Sequence, residues 1–204
     1  MVAESFIAEL LSYMQKGGYV MPPLIVATVV LWLAIGYRFS LLQRGNRRSV
    51  RVLLERCKKG QLKNAKGLID RAVWKGVEVV RKHPDNHPDG ARPYLDDAFS
   101  PYERDLEKYN ALITSIIAVA PLLGLLGTVG GMIETFDSLG DMSLFSQSGG
   151  IAGGISQALF TTQMGLAVAI PGLLVKGYLD RQQNRLELEL AQIKDLLTGN
   201  KVAA

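Results

Sequence analysis

Three long stretches of this chain carry no charged residue: Gly17–Tyr37, 21 residues; Tyr109–Ile133, 25; and Met142–Val175, 34. A helix crosses the hydrocarbon core of a bilayer with about 20 residues, so each stretch is long enough to span. The average composition, 48% hydrophobic and 21% charged, hides this because the charges are segregated. The third stretch would run about 51 Å if wholly helical. Its start, with Ser146, Ser148, Gly149 and Gly150, is therefore expected at or outside the membrane interface.

Within the second stretch, Ala120–Phe136 (APLLGLLGTVGGMIETF) is apolar, yet one face holds little larger than threonine. At helical spacing Thr114, Ala118, Pro121, Gly124, Thr128, Gly131 and Thr135 share a side. The third stretch repeats the pattern with Gly154, Ala158, Thr162, Gly165, Ala169 and Gly172. Small stripes let helix backbones approach closely in lipid, where packing and hydrogen bonds replace the hydrophobic effect. Close packing is assigned to Gly124, Gly127, Gly131, Gly154, Gly165 and Pro171. Two such helices, each with a mid-span hydroxyl, point to packing around something polar, as in an ion pathway.

Orientation follows the basic residues. Between Gln43 and Asn110 there are 16 Lys and Arg against 10 Asp and Glu, and Lys176 onward adds five more basic residues. Lys16 alone precedes the first span, while Arg38, Arg44, Arg47 and Arg48 follow it directly. The N-terminus is thus expected outside and the connector and C-terminus in the cytoplasm. A secretion signal carries its positive charge before the apolar run, the reverse of what is found here. The net charge of +4 needs no nucleic-acid partner to explain it.

The expected organisation has seven parts. Residues 1–18 form an amphipathic helix on the outer surface, with Ala3, Phe6, Ile7, Leu10, Leu11 and Met14 on one face. Residues 19–42 are the first span and 43–100 a helical connector, with Val50, Leu53, Leu54, Leu62, Leu68, Ile69, Val73 and Val77 as packing positions around Gly60. The segment HPDNHPDGARPYLDDAFSP reads as a loop. Ser100-Pro101-Tyr102-Glu103 reads as a capping box with proline in the first turn. It would open one unbroken helix, residues 101–139, holding the second span. Residues 140–150 are a short periplasmic loop. Residues 151–198 are a second long helix, with Leu186, Leu190, Ile193 and Leu197 continuing a stripe below the membrane and Gly199 as its cap. Residues 199–204 are a tail. The fold class is an all-α membrane protein of three transmembrane helices, two extending into a cytoplasmic helical bundle.

Catalytic constellations are missing, so an enzyme is not expected. His83 and His87 sit with Asp85 and Asp89 in a His-Pro-Asp repeat, but proline prevents the helical spacing that presents zinc ligands, and turn-forming residues explain the segment. No metal or cofactor is expected. Gly124 through Gly131 resembles a nucleotide loop only superficially, with no preceding strand and no lysine. Cys57 has no partner for an internal disulfide and reads as a half-buried packing residue.

Intramembrane polar groups matter more, because burying one without a partner is costly. The second span offers Thr114, Ser115 and Thr128; the third, Ser156, Gln157, Thr161, Thr162 and Gln163. Thr128 and Thr162 lie deep in their runs beside glycines, and antiparallel neighbours would hold them at similar depth as a shared polar lining. No carboxylate or histidine occurs deep in any run. Glu134, about 9 Å outward of Thr128, is expected near the outer mouth. If ions move here, a partner chain supplies the titrating group.

LLGLLGTVGGMIETF and GGISQALFTTQMGLAVAIPGLL resemble the second- and third-span patterns of the MotA/TolQ/ExbB proton-channel family, ExbB/TolQ branch. That resemblance implies a homo-oligomeric ring, usually a pentamer, around a dimer of ExbD/TolR-type single-span subunits bearing an essential aspartate. Proton flow would energise a TonB- or TolA-type envelope protein from the bacterial inner membrane. Thr128 and Thr162 match the family's span threonines, and Thr161 and Gln157 join them on the pathway. Gln157 stands where family members often carry glutamate; an amide can hydrogen-bond but holds neither proton nor charge. The alternative is a non-conducting scaffold that clusters envelope proteins.

Overall fold

The computed structural model describes residues 14, 17–43, 49–58, 67–82, 92–140 and 148–199. Almost all of the outer amphipathic helix, Arg44, Arg47, Arg48, Gly60, Leu62, the two histidines, most of the 140–150 loop and the tail beyond Gly199 lie outside the described residues. Every described element is helical: a 3-10 turn at Gly18–Val20, then α1 (Met21–Leu41), α2 (Val50–Lys58), α3 (Leu68–Lys82), α4 (Arg92–Glu107), α5 (Asn110–Gly140) and α6 (Ser148–Gly199). Three helical stretches are long and apolar enough to cross a membrane: Gly18–Leu41, Arg92–Gly140 and Ile151–Thr198, of 24, 49 and 48 residues. The chain divides into two compact units, Met1–Ile35 with Ala111–Lys176, and Gly36–Asn110 with Gly177–Ala204.

In the first unit the inner faces of α5 and α6 are mostly small, whereas α1 buries Met21, Leu24 and Leu31. In α5 the buried positions are Ile113, Ile117, Ala120, Gly124, Gly127, Gly131 and Thr135. In α6 they include Gly154, Ala158, Thr161, Gly165, Val168, Ala169 and Gly172. Near Gly172 all three spans meet, since a Cβ there would lie 3.0 Å from Leu31 and 3.1 Å from Ile117. The bulky side chains point the other way: Leu122, Leu125, Ile133, Phe136, Leu159 and Leu174 are exposed. In water such a surface would be a liability, but against lipid tails it costs nothing.

The second unit inverts that arrangement. Leu95, Phe99 and Leu106 of α4, Leu68, Ile69, Ala72 and Val73 of α3, and Leu179, Leu186, Leu190, Ile193 and Leu197 of α6 form its buried core. Helix α3 packs against both α2 and α4. Of the expected connector positions, Val50, Leu53, Leu54, Leu68, Ile69 and Val73 are buried and Val77 is half-buried. The apolar spacing found these because an amphipathic helix in water has one way to hide its stripe. Cys57 is half-buried, and burial pushes its thiol above the usual range.

Two boundary expectations are overturned. Ser100-Pro101-Tyr102-Glu103 does not start a helix: α4 begins at Arg92, and Pro101 lies in its interior. Leu95 and Phe99, both fully buried, draw the preceding turns into the helix despite the missing amide. Nor is the helix from Pro101 to Asp137 one rod. It breaks at Lys108–Tyr109, where Tyr109 adopts a left-handed backbone with φ 63°. Helix α6 does run unbroken for 52 residues to Gly199, although it begins at Ser148 rather than beyond the glycines.

Candidate functional site

Helices α5 and α6 touch backbone to backbone. A Cβ added at Gly131 would lie 2.6 Å from the Gly154 carbonyl oxygen and 2.9 Å from the Ala158 nitrogen. At Gly127 it would lie 2.5 Å from Thr161 Cβ, at Gly124 3.0 Å from the Thr161 carbonyl, and at Gly165 2.7 Å from the Ala120 carbonyl. Contacting positions rise on one helix as they fall on the other, so the pair is antiparallel. Thr161 is fully buried in this seam, its hydroxyl donating to the carbonyls of Ala158 at 3.0 Å and Gln157 at 3.1 Å. Thr135 closes the far end against Gly154, its hydroxyl donating to the Gly131 carbonyl at 2.8 Å.

The expected stripe on α5 is therefore two rows rather than one. Gly124, Gly131 and Thr135 belong to the seam, while Thr114 and Ala118 are exposed and Pro121 and Thr128 half-exposed. The seam's centre runs through Gly127 and Ala120, about 100° around the helix from the Thr128 row. A glycine at Gly127 is what permits it, because Thr161 fills the space a side chain would take. The α6 stripe, by contrast, lies in the packed face except at Thr162, which is half-exposed. Pro171 is exposed.

Thr128 and Thr162 thus flank the seam instead of filling it. The Thr128 hydroxyl donates to the Leu125 carbonyl at 2.6 Å, and that of Thr162 to the Ala158 carbonyl at 3.1 Å. Each has used its one hydrogen on its own helix, leaving oxygen lone pairs as acceptors. Gln157 is half-buried with its amide nitrogen toward the 3-10 turn: a Cβ on Gly18, whose φ is +59°, would come within 2.5 Å of it. Tyr19 from the same turn lies over Gly130. Glu134 is exposed. Among the described residues no group of three or more His, Cys, Asp or Glu could hold a metal.

The second unit contains a cluster that the sequence reading passed over. Arg38, the largest of the fully buried side chains, sits on α1 with 0% exposure. Its Nη1 donates to Asn110 Oδ1 at 2.7 Å; its Nη2 donates to Asp180 Oδ1 at 3.3 Å and to Gln183 Oε1. Gln183 passes the contact on, donating to Glu187 at 2.6 Å. Arg38 Nε is buried without a partner. Removing the carboxylate from such a pair leaves an uncompensated buried charge, at a cost of about 3–5 kcal/mol where burial is complete. Next to it Tyr37 and Tyr109 meet edge to face at 5.2 Å, with Lys108 Nζ within 5.8 Å of both rings. From the sequence alone, Arg38 marks only the orientation of the first span. Its depth relative to Asp180 and Gln183, one helix turn into the polar part of α6, was the available signal.

A model of the MotA/TolQ/ExbB proton channel family matches residues 64–192, more than half of the chain. The chain belongs to that family. Within it, the ExbB/TolQ branch fits. The biopolymer transport protein ExbB-like 1 of Synechocystis sp. is 32% identical over 178 residues, covering 82% of this chain and 69% of that protein. ExbB-like 3 from the same organism is 47% identical over 70 residues, although the match covers only 33% of its length. The Tol-Pal system protein TolQ of Pseudomonas aeruginosa is 31% identical over 110 residues, 52% of this chain and 47% of that one. MotA/TolQ/ExbB proteins are membrane channel and transport proteins rather than enzymes. Membership and three apolar helical stretches together make this a multi-pass membrane protein.

Proposed function

We propose that the chain is the stator wall of an inner-membrane proton channel. With an ExbD/TolR-type single-span partner it would convert proton-motive force into mechanical energisation of a TonB- or TolA-type envelope protein. In this reading the N-terminus is periplasmic and the second unit cytoplasmic, as the arginines after the first span favour. Several copies, five by family resemblance, assemble around the partner.

The observation that carries the reading is the division of labour among the span hydroxyls. Thr161 is consumed by the packing of α5 on α6, whereas Thr128 and Thr162 stay half-exposed beside it with only acceptor lone pairs to offer. Such a surface suits a group that arrives carrying a proton, such as a protonated carboxylic acid on another chain. The wall has none of its own, because no Asp, Glu, Lys, Arg or His lies in Tyr109–Ile133 or Met142–Val175. Ionisable groups inside a membrane mark ion paths, so a wall without one supports the reading that a partner supplies it.

Proton flux into liposomes under an imposed potential tests this, in sodium-free buffer, with the chain alone and with its single-span partner. Flux is expected only with the partner, and Thr162→Ala should reduce it while the complex still assembles. A well-formed complex without flux would favour the scaffold alternative, and flux from the chain alone would contradict the borrowed group.

A further inference from the structure

The second unit hides its bulk, yet one face of its α6 segment does not. Tyr178, Arg181, Arg185 and Leu188 recur at steps of three and four residues and so share a side of the helix. Tyr178 is 54% and Leu188 72% exposed, and both arginines are exposed with them. Lipid does not account for Leu188. It lies about 20 Å along the helix past Val175, where the uncharged run ends. The headgroup layer is only about 5–8 Å deep on each side of a bilayer. Arg185 meets Glu189 of its own helix at 3.5 Å, an exposed pair of the kind that competes weakly with another carboxylate.

A second surface of the same unit carries the opposite charge. Between α4 and α6 lies a groove of about 490 Å³, lined by Asp96, Glu103 and Glu107 from one helix and Glu187 and Asp195 from the other. Two cations, Arg92 and Lys194, share the lining with these five carboxylates, so the groove is acidic. Lys194 Nζ donates to Asp96 at 2.6 Å and Glu103 at 2.9 Å, and Arg92 reaches Asp195 at 3.6 Å. Glu107 and Glu187 take no part in these pairs. Glu187 falls between Arg185 and Leu188 in the chain, about 3 Å of rise from Arg185 and about 160° around the helix from it. Stripe and groove thus stand at one level of α6, on different sides.

A ring of identical copies needs such a pair of surfaces. A head-to-tail contact joins two different patches of the chain, and rotation about an axis along the spans keeps each residue at one depth in every copy. The stripe and the groove differ in position, agree in level and are complementary in charge. The planar guanidinium fork also suits carboxylates better than any other cationic side chain.

We propose that the Tyr178–Leu188 face of α6 in one copy docks in the α4–α6 groove of the next copy, with Arg185 against Glu107 and Glu187 and with Leu188 covered by the neighbouring helices. The docking rests on the reading above that several copies assemble; it does not depend on conduction.

The full-length chain in lipid nanodiscs tests it, in a Cys57→Ser background. Copies carrying Arg185→Cys mixed with copies carrying Glu107→Cys should be joined by a short bis-maleimide, and neither kind alone should crosslink. Arg185→Glu and Glu107→Arg should each lower the oligomeric fraction severalfold by native mass spectrometry, and oppositely charged copies carrying both changes should recover it. Leu188→Ser should lower it too, with an unchanged thermal unfolding midpoint for the dissociated chain, because an exposed side chain contributes little to folding. A parental oligomer that persists in both charge variants, or that forms without the mixed crosslink, would overturn the docking. Protection of Leu188→Cys from labelling by anionic lipid rather than by assembly would overturn it in favour of the membrane surface. A parental chain that stays monomeric would overturn the assembly reading itself, and the docking with it.

Discussion

The two units of this chain solve the same problem, holding helices together, with opposite materials. In the first, Gly124, Gly127, Gly131 and Gly165 bring the α5 and α6 backbones into contact and most leucines of that pair face out; in the second, leucines and Phe99 fill the interior and charges face out. The difference follows from the solvent. Lipid tails reward no burial of leucine, so helices there associate through contact area and hydrogen bonds, which small residues maximise. Water rewards burial at roughly 25 cal/mol per Å² of apolar surface, so the second unit hides its bulk. Polar groups are treated differently as well. The first unit satisfies threonine hydroxyls locally on their own helices, while the second gathers Arg38, Asn110, Asp180 and Gln183 from three helices into one network.

The largest expected effect comes from putting bulk into the seam. Gly131→Leu places its Cβ against the Gly154 carbonyl, a backbone atom that cannot step aside. Overpacking of this kind costs about 1–3 kcal/mol where side chains can shift, and more against backbone. The α5–α6 hairpin should separate, seen as thiol labelling of Thr161→Cys in a Cys57→Ser background, a position the parental seam shields. A Thr161→Cys thiol that stays as shielded as in the parent would show that the seam is not the packing surface.

Second comes one substitution read in both solvents. Leu190→Ala removes a fully buried side chain from the second unit and should cost about 2–5 kcal/mol. Leu125→Ala, on the outward face of α5 with 57% exposure, should change stability by less than about 0.5 kcal/mol. Equal costs, measured by denaturant unfolding in the same detergent, would erase the contrast between the units.

The smallest effect concerns Cys57. Burial raises its thiol pKa, so the thiolate fraction at neutral pH falls below that of a free cysteine. Alkylation should therefore be slower than for a solvated peptide cysteine at pH 7.5, and its rate should keep rising with pH beyond the usual thiol range. A rate that levels off within that range would place the thiol in open water.

The spans were legible because a bilayer imposes a length rule that any uncharged run must meet, and the α6 stripe was legible because its buried row stayed constant down the helix. The α5 stripe was harder. Gly124, Thr128 and Gly131 lie within about two turns, and small residues occur on both sides of Thr128, so spacing alone could not say which row faces α6. Thr161 decides it, since only its contact with Gly127 fixes the rotation. Helix α4's true start was hidden by a good local capping signal at Ser100 that tertiary burial of Leu95 and Phe99 overrode. The Tyr109 break has no local signal, since nothing about a Lys-Tyr-Asn triplet demands a left-handed residue. Arg38 was read as a topology marker because basic residues after a span usually are; its network depends on residues 72 and more positions away.

The central claim is that the chain's own packing uses Thr161 and leaves Thr162 for a partner. Single cysteines in a Cys57→Ser background test it most directly, by labelling Thr162→Cys and Thr161→Cys with a small thiol reagent, with and without the single-span partner. The account predicts that Thr162→Cys labels in the chain alone and is protected by the partner, while Thr161→Cys labels in neither case. Ready labelling at Thr161→Cys, or labelling at Thr162→Cys that the partner does not change, would contradict it.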